Sequence, residues 1–226
     1  MANALVSVLV ASYNGERYLT DALESVYAQD YDPFEVVFVD DGSTDDTAEI
    51  ARRFPVRYFR QENAGLAAAR NAAFAQAHGE LVTFFDDDDV MPKSRLSAQA
   101  GYLASSPSVG CVLGRQEWID APDWLLRDPV FGDVAGIPFA AAMIRRDVLE
   151  QVGGFDGSFR YAEDRDLLIR LREAGVGIEV LPTVVLLRRY HGENMTAPVN
   201  RPTVHPLTRS LKGKLDRERA RRRETT

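Results

Sequence analysis

The chain alternates short, uncharged apolar runs with segments whose apolar positions recur every three or four residues. Leu5 to Val10 is β-rich and carries no charge, as in a strand buried on both faces. Tyr18, Leu19, Ala22, Leu23 and Val26 then share one helical face, and Tyr31-Asp32-Pro33 breaks the run. Val36 to Val39 predicts a second strand, and Ser43 can cap a helix that runs to Phe54. Val56 to Phe59 predicts a third strand, Gly65 opens an alanine-rich helix to about His78, and Leu81 to Phe85 predicts a fourth strand. The order β-α-β-α-β-α-β specifies an α/β protein, with a mainly parallel central sheet and helices on both faces. In such a sheet the ligand crevice lies beyond the carboxyl ends of the strands.

Polar residues collect at that edge. The first strand ends in Ala11-Ser12-Tyr13-Asn14-Gly15 and the second in Asp40-Asp41-Gly42-Ser43. Asn63, Gly65, Arg70 and Asn71 surround the start of the third helix. The fourth strand, LVTFF, runs straight into Asp86-Asp87-Asp88-Asp89. Singly, Ser-Tyr-Asn-Gly and Asp-Asp-Gly-Ser are good turn chemistry. Four such clusters on one rim imply a binding site.

Four adjacent carboxylates repel by several kcal/mol per close pair where water is partly excluded, so either they splay into solvent or a cation lies among them. As Asp-x-Asp-x-Val they match the first motif of haloacid-dehalogenase-like phosphatases, but the later Gly-Asp-x-x-x-Asp is missing. An EF-hand loop counted from Asp86 needs Gly and Glu where Met91 and Ser97 stand. The G-x-G-x-x-G of a dinucleotide-binding turn is absent after the first strand. A hard-cation site for Mg²⁺ or Mn²⁺ remains, and such ions commonly bridge to substrate phosphates, which points to a diphosphate ligand.

Composition narrows the class. The 226 residues are 45% hydrophobic and 27% charged, ordinary values for one substantial globular domain. The net charge of -7 argues against a nucleic-acid partner. A single cysteine, Cys111, fits a reducing cytoplasm. The N-terminus has neither a basic leader nor a small-residue cleavage site, and no uncharged apolar run approaches the roughly 18 residues needed to span a bilayer. The expectation is a cytoplasmic protein.

Six stretches in series carry a family resemblance: VSVLVASYNGERYLTDALESVYAQ, FEVVFVDDGSTDDT, ENAGLAAARNAAFAQAHGELVTFFDDDDVMP, RRDVLEQVGGFD, YAEDRDLLIRL and YHGENMT. Together, over residues 5 to 196, they resemble the family 2 glycosyltransferases, inverting nucleotide-sugar-dependent enzymes of the Rossmann-like GT-A fold. The resemblance implies a nucleoside-diphosphate sugar donor, most commonly a UDP-sugar, and an acceptor hydroxyl on a glycan, a lipid-linked acceptor or a secondary metabolite. It implies that Ser12 and Tyr13 line the nucleobase pocket, with Asn14 also on the donor side, and that Asp41 accepts the base N–H beside Asp40. Arg70 would help hold the base or phosphates, Asp86 would face the ribose and Asp87 would lie with it on the substrate side. Asp88 would coordinate the metal and His191 would approach the metal or diphosphate. Asp89 is expected to support the ligand residues from behind or to cap a helix.

The second half supplies the acceptor side. Arg145 to Val152 predicts a short helix ended by Gly153-Gly154, followed by Phe155 as a core anchor. Glu163-Asp164-Arg165-Asp166 opens a further helix through Leu167, Leu168 and Leu171, where acids favour a helix N-terminus for dipole reasons alone. The resemblance makes Asp164 the general base, with Glu163 on the substrate side and Asp166 structural. A base is required, because the acceptor hydroxyl must lose its proton as it attacks. Val184 to Leu187 predicts a strand before His191, and Gly114 to Gly136 reads as a flexible acceptor loop containing Trp118 and Trp124. One domain is expected over residues 1–206, donor side to about 100 and acceptor side after it. Residues 207–226 form a basic tail, a frayed solvated end or an amphipathic helix touching anionic lipid. Two rival functions are a silent nucleotide-sugar-binding module and a sugar-phosphate nucleotidyltransferase.

Overall fold

A computed structural model describes residues 3–123, 139–159 and 162–191. Strands β1 (Val6–Ser12), β2 (Phe34–Asp40), β3 (Arg57–Arg60) and β4 (Leu81–Asp86) are separated by helices α1 (Leu19–Tyr27), α2 (Thr47–Ala51) and α3 (Leu66–Gln76). They are followed by α4 (Arg95–Ser105), β5 (Val109–Ile119), a 3-10 turn (Phe139–Ala141), β6 (Met143–Arg145), α5 (Arg146–Val152), α6 (Glu163–Glu173) and β7 (Gly177–Arg189). One seven-stranded sheet forms in the order β3-β2-β1-β4-β6-β5-β7. All pairs are parallel except those of β6, which runs antiparallel to both β4 and β5.

Alternation along each strand distributes the core between the two faces. Val6, Val8 and Val10 face α1 and α4 through Leu19, Leu23, Leu96 and Leu103. Leu9 and Ala11 face α3, α5 and α6 through Ala69, Ala73, Leu149, Leu167 and Leu171. Because α3 meets the sheet through alanines, its backbone lies close to β1, and Arg70 is carried into the interior.

Several expectations need correction. The second helix begins at Thr47, not Ser43, because the Ser43 hydroxyl accepts the Asn14 N–H instead of capping. Gly114 to Ile119 belongs to β5 and not to a loop, with Arg115 and Glu117 exposed and Gln116 buried between them. The last strand extends well beyond Val184–Leu187, because β7 pairs with β5 along its length through several register shifts. Trp124 and the tail at 207–226 lie outside the described residues. No helix among the described residues is long and apolar enough to cross a membrane.

The turn after α5 sets the distance between α3 and α6. Gly153 and Gly154 have φ of 82° and 67°, conformations that side chains resist. Asn71 clasps the next residue in both directions, donating to the Phe155 carbonyl (2.8 Å) and accepting its N–H (2.9 Å). Phe155 is 3% exposed and meets Phe84 (4.9 Å) and Phe139 (5.5 Å) edge-on. It is the core anchor expected from its position. Phe155→Ala is expected to cost about 3–5 kcal/mol in urea unfolding, the usual range for an emptied aromatic site. A loss within error would mean that the ring is not a supporting contact.

Candidate active site

The carboxyl ends of β1, β2 and β4 lie side by side, with Ser12 paired to Asp40 and Ala11 to Asp86. The chain leaves β1 toward β2 on one side and returns in β4 on the other, which opens a crevice at this edge. Tyr13 stands there 53% exposed, a large ring presented to solvent.

The loops behind Tyr13 are tied together by the polar residues of the sequence motifs. Asn14 has φ 56°, tolerable for asparagine, and its side-chain oxygen accepts the Thr44 N–H at 2.9 Å. Asp40 is fully buried and accepts the Ser43 N–H (2.7 Å) and the Tyr58 hydroxyl (2.6 Å). Burial alone would raise its pKa, but these donors hold it below the ordinary carboxylate range. Asp41, 3% exposed, accepts Gln61 Nε2 (2.7 Å) and the N–H groups of Ala64 (2.9 Å) and Gly65 (2.8 Å). It therefore shapes the entry to α3, and both of its oxygens already serve the protein.

The four aspartates each meet a different partner. Asp86 accepts Arg70 at 2.7 Å and keeps about a third of its side chain exposed (32%). Asp87 accepts the Ser12 hydroxyl and lies over Gly15, where a Cβ would collide with the Asp87 carboxylate and the Ser12 oxygen. Asp88 meets His191 Nε2 at 2.9 Å. Asp89, 2% exposed, accepts the Arg189 N–H at 2.9 Å, the supporting role expected of it. Burial first, and neighbouring carboxylates second, push Asp88 and Asp89 upward, while His191 offsets part of the shift at Asp88. The same two causes push Asp87 to about 7, against a smaller lowering by Ser12.

Arg70 is not spread on an open donor surface. Its guanidinium is 6% exposed, reaches Glu163 at 2.9 Å as well as Asp86, and lies 5.5 Å over the Phe155 ring. Burial pushes Glu163 upward, and Arg70 only partly offsets this. Asp164 follows at the start of α6, partly exposed, with one oxygen accepting the Arg165 N–H at 2.7 Å. Asp166 is fully buried and pairs with Arg170 at 2.7 Å, and Arg170 also donates to the Val152 and Gly154 carbonyls. Its structural part is clear.

Carboxylate oxygens and an imidazole at Asp88 and His191 suit Mn²⁺ or Mg²⁺, and a cation there would relieve the crowding that raises the aspartate pKa values. Among the described residues no three His, Cys, Asp or Glu side chains are spaced to enclose an ion. The rest of the shell would come from water and diphosphate oxygens, as is usual for Mg²⁺. Motif reading missed Arg189 and Tyr18, which border this pair, and Arg95 beneath β4. Arg95 is fully buried and donates to Thr83 Oγ1 and, at 2.6 Å, to the Ala140 carbonyl. Burial lowers it to about 10, against the field of Asp89 and Asp86. No sequence signal separates it from a surface arginine.

A mainly parallel sheet with an exposed aromatic, a carboxylate run and a histidine at its strand ends defines a GT-A nucleotide-sugar-transferase fold, and comparison with known proteins agrees. The chain belongs to glycosyl transferase family 2, whose family model matches residues 7–153. An uncharacterized glycosyltransferase of Nostoc sp. is 33% identical over 174 residues, 67% of this chain and 54% of that protein. Staphylococcus aureus TarS, solved with UDP-GlcNAc, has a TM-score of 0.71 at 27% identity, covering 85% of this chain and 60% of that one. The mannosyltransferase PcManGT of Pyrobaculum calidifontis, solved with GDP-Man and Mn²⁺, has a TM-score of 0.72 at 26% identity, covering 86% and 59%. The chain spans between 13% and 54% of the length of three curated relatives that it matches.

The raised carboxyl of Asp87 sets a pH dependence. Its folded pKa lies above the ordinary 3.8, so its contribution is fully present below pH 3.8 and is lost as pH rises through about 7. In metal-free protein, Asp87→Asn is expected to flatten the fall in melting temperature between about pH 4 and 7. Identical pH profiles for the two proteins would show that Asp87 is ionised throughout.

Proposed function

We propose that the protein transfers a sugar from a nucleoside-diphosphate sugar, best read as a UDP-sugar, to an acceptor hydroxyl with inversion at the anomeric carbon. The observation that supports this reading is Arg70, which bridges Asp86 at the end of β4 to Glu163, the residue before Asp164, at the start of α6. The complexes of TarS with UDP and of PcManGT with GDP-Man support a nucleotide-sugar donor.

Tyr13 offers its ring to the base, with Ser12, Asn14, Asp40 and Asp41 shaping the pocket behind it. Asp86 turns its exposed oxygen to the ribose, and Asp87 holds the loop beneath. A divalent cation, Mn²⁺ or Mg²⁺, held by Asp88 and His191, would supply charge neutralisation for the departing diphosphate. Asp164 takes the acceptor proton as the new C–O bond forms on the face opposite the bond that breaks, and this single displacement inverts the centre. Arg70 and Glu163 anchor the first turn of α6, on which Asp164 lies. The acceptor is a hydroxyl on a glycan, a lipid-linked molecule or a secondary metabolite.

Two substitutions test the assignment. Asp88→Ala is expected to abolish the Mn²⁺-dependent gain in UDP affinity measured by calorimetry while the protein stays folded. An undiminished gain would move the metal contact to Asp86 or Asp87. Asp164→Asn keeps the shape and an oxygen able to accept the Arg165 N–H but removes the basicity. Donor affinity and melting temperature should hold while transfer falls by about 10²–10⁴-fold, the usual contribution of a positioned base. Transfer at the unaltered rate would leave Asp164 as a first-turn acid of α6 and shift the search to Glu163.

A further inference from the structure

Asp88 and His191 are 103 positions apart, on segments with no covalent reason to meet. Asp88 lies in the loop after β4, and His191 lies two residues beyond β7. Something must keep the two at bonding distance while Asp86 repels Asp88.

The joint is made at Arg189. Val90 and Leu187 exchange two backbone hydrogen bonds of 2.9 Å, which lay the carboxylate loop along the end of β7. Arg189 continues this contact, its N–H donating to the Asp89 carboxylate (2.9 Å) and its Nε to the Asp88 carbonyl (3.1 Å). The guanidinium then reaches Asp120 after β5 at 2.6 Å and Asp21 of α1 at 3.2 Å. It lies 4.9 Å over the ring of Tyr18. His191 packs on the same ring, with centroids 5.0 Å apart, and Arg17 also lies 4.9 Å from its centre. Two residues apart on an extended chain, Arg189 and His191 project to the same side, where Tyr18 receives both. One side chain thereby joins α1, the carboxylate loop, β5 and β7.

We propose that Arg189, seated on Tyr18, is a positioning residue that sets the spacing of Asp88 and His191 and so builds the cation seat. The inference rests on the reading of that pair as metal ligands. Arg189 acts from behind: its Nε donates to the Asp88 carbonyl and its N–H to Asp89, so it gives the loop a fixed cation through the backbone and the neighbouring carboxylate and not through the Asp88 side chain. A rotation of His191, or a drift of the Asp88 backbone, would separate the two donors. The effect of Arg189 should therefore appear in metal binding, and not in the contact with the nucleotide.

The test uses the full chain, with free Mn²⁺ measured by paramagnetic resonance in the presence of UDP, and UDP affinity measured separately in chelator. Arg189→Met keeps the apolar stem over Tyr18 and removes every polar contact of the side chain. Mn²⁺ affinity should fall by about 10–100-fold, the loss typical of residues that orient metal ligands, while metal-free UDP affinity is unchanged. Arg189→Lys retains the charge but cannot span Asp88, Asp120 and Asp21 together, so it should show a smaller loss in the same direction, and it decides the matter if the Met variant fails to fold. Unchanged Mn²⁺ affinity in the folded variants would overturn the proposal, leaving Arg189 a stability residue. A parallel fall in metal-free UDP affinity would also overturn it, by making Arg189 a diphosphate contact. An unsubstituted protein that binds UDP but no Mn²⁺ would remove the metal reading, and this proposal with it.

Discussion

A guanidinium buried between two carboxylates from distant parts of the chain governs the geometry of this protein. Arg70 leaves the alanine-lined helix α3 and divides its terminal nitrogens between Asp86 on β4 and Glu163 at the start of α6. Taking these charges out of water is costly, and short charge-assisted bonds with good geometry offset that cost. Removing one partner of such a group commonly costs about 3–5 kcal/mol, because a charge is then left buried and uncompensated. The position of α6 relative to the sheet edge is therefore bound to the ionic state of this triad. Phe155, beneath the guanidinium and clasped by Asn71 of the same α3, closes the bracket from the other side.

The carboxylate run after β4 is tolerated because its members do not share one environment. Asp86 has an arginine, Asp87 a hydroxyl and a raised pKa, Asp88 an imidazole, and Asp89 a backbone N–H from β7. Asp86 draws on α3, Asp87 on β1, and Asp88 and Asp89 on the end of β7, so the loop is pinned from three elements at once. Burial first, and the remaining crowding second, raises Asp87, Asp88 and Asp89.

Binding residues and loop-shaping residues overlap on the rim. Asp40, Asp41 and Asn14 spend their oxygens on the turns that carry Tyr13 and open α3. The rim is thereby organised before any ligand arrives, so little ordering cost falls on binding. A substitution at Asp41 will disturb the loop at Ala64 and Gly65 as well as any base contact.

Local pattern carried much of this. Strands β1 to β4, helices α1 and α3, the stop at Gly153-Gly154, the anchoring of Phe155 and the start of α6 at Glu163 follow from periodicity and turn chemistry, which report near-neighbour burial. The clustering of motifs on one rim followed in turn from the strand order they imply. Tertiary structure decided what periodicity does not encode. Arg115 and Glu117 give Gly114–Ile119 the look of a loop, yet pairing with β7 makes it a strand. The three-residue β6 is too short to carry a pattern and exists because β4 and β5 flank it. Arg95 and Arg189 read alike as charged helix or strand residues, and Arg70 reads through the resemblance as a holder of base or phosphates; only folding separates an ion-pair bridge at Arg70, a buried cation at Arg95 and a clamp on the carboxylate loop at Arg189. The contact of His191 with Asp88 belongs to the same class, because a pairing across a hundred residues is a property of chain topology, which no local window of sequence contains.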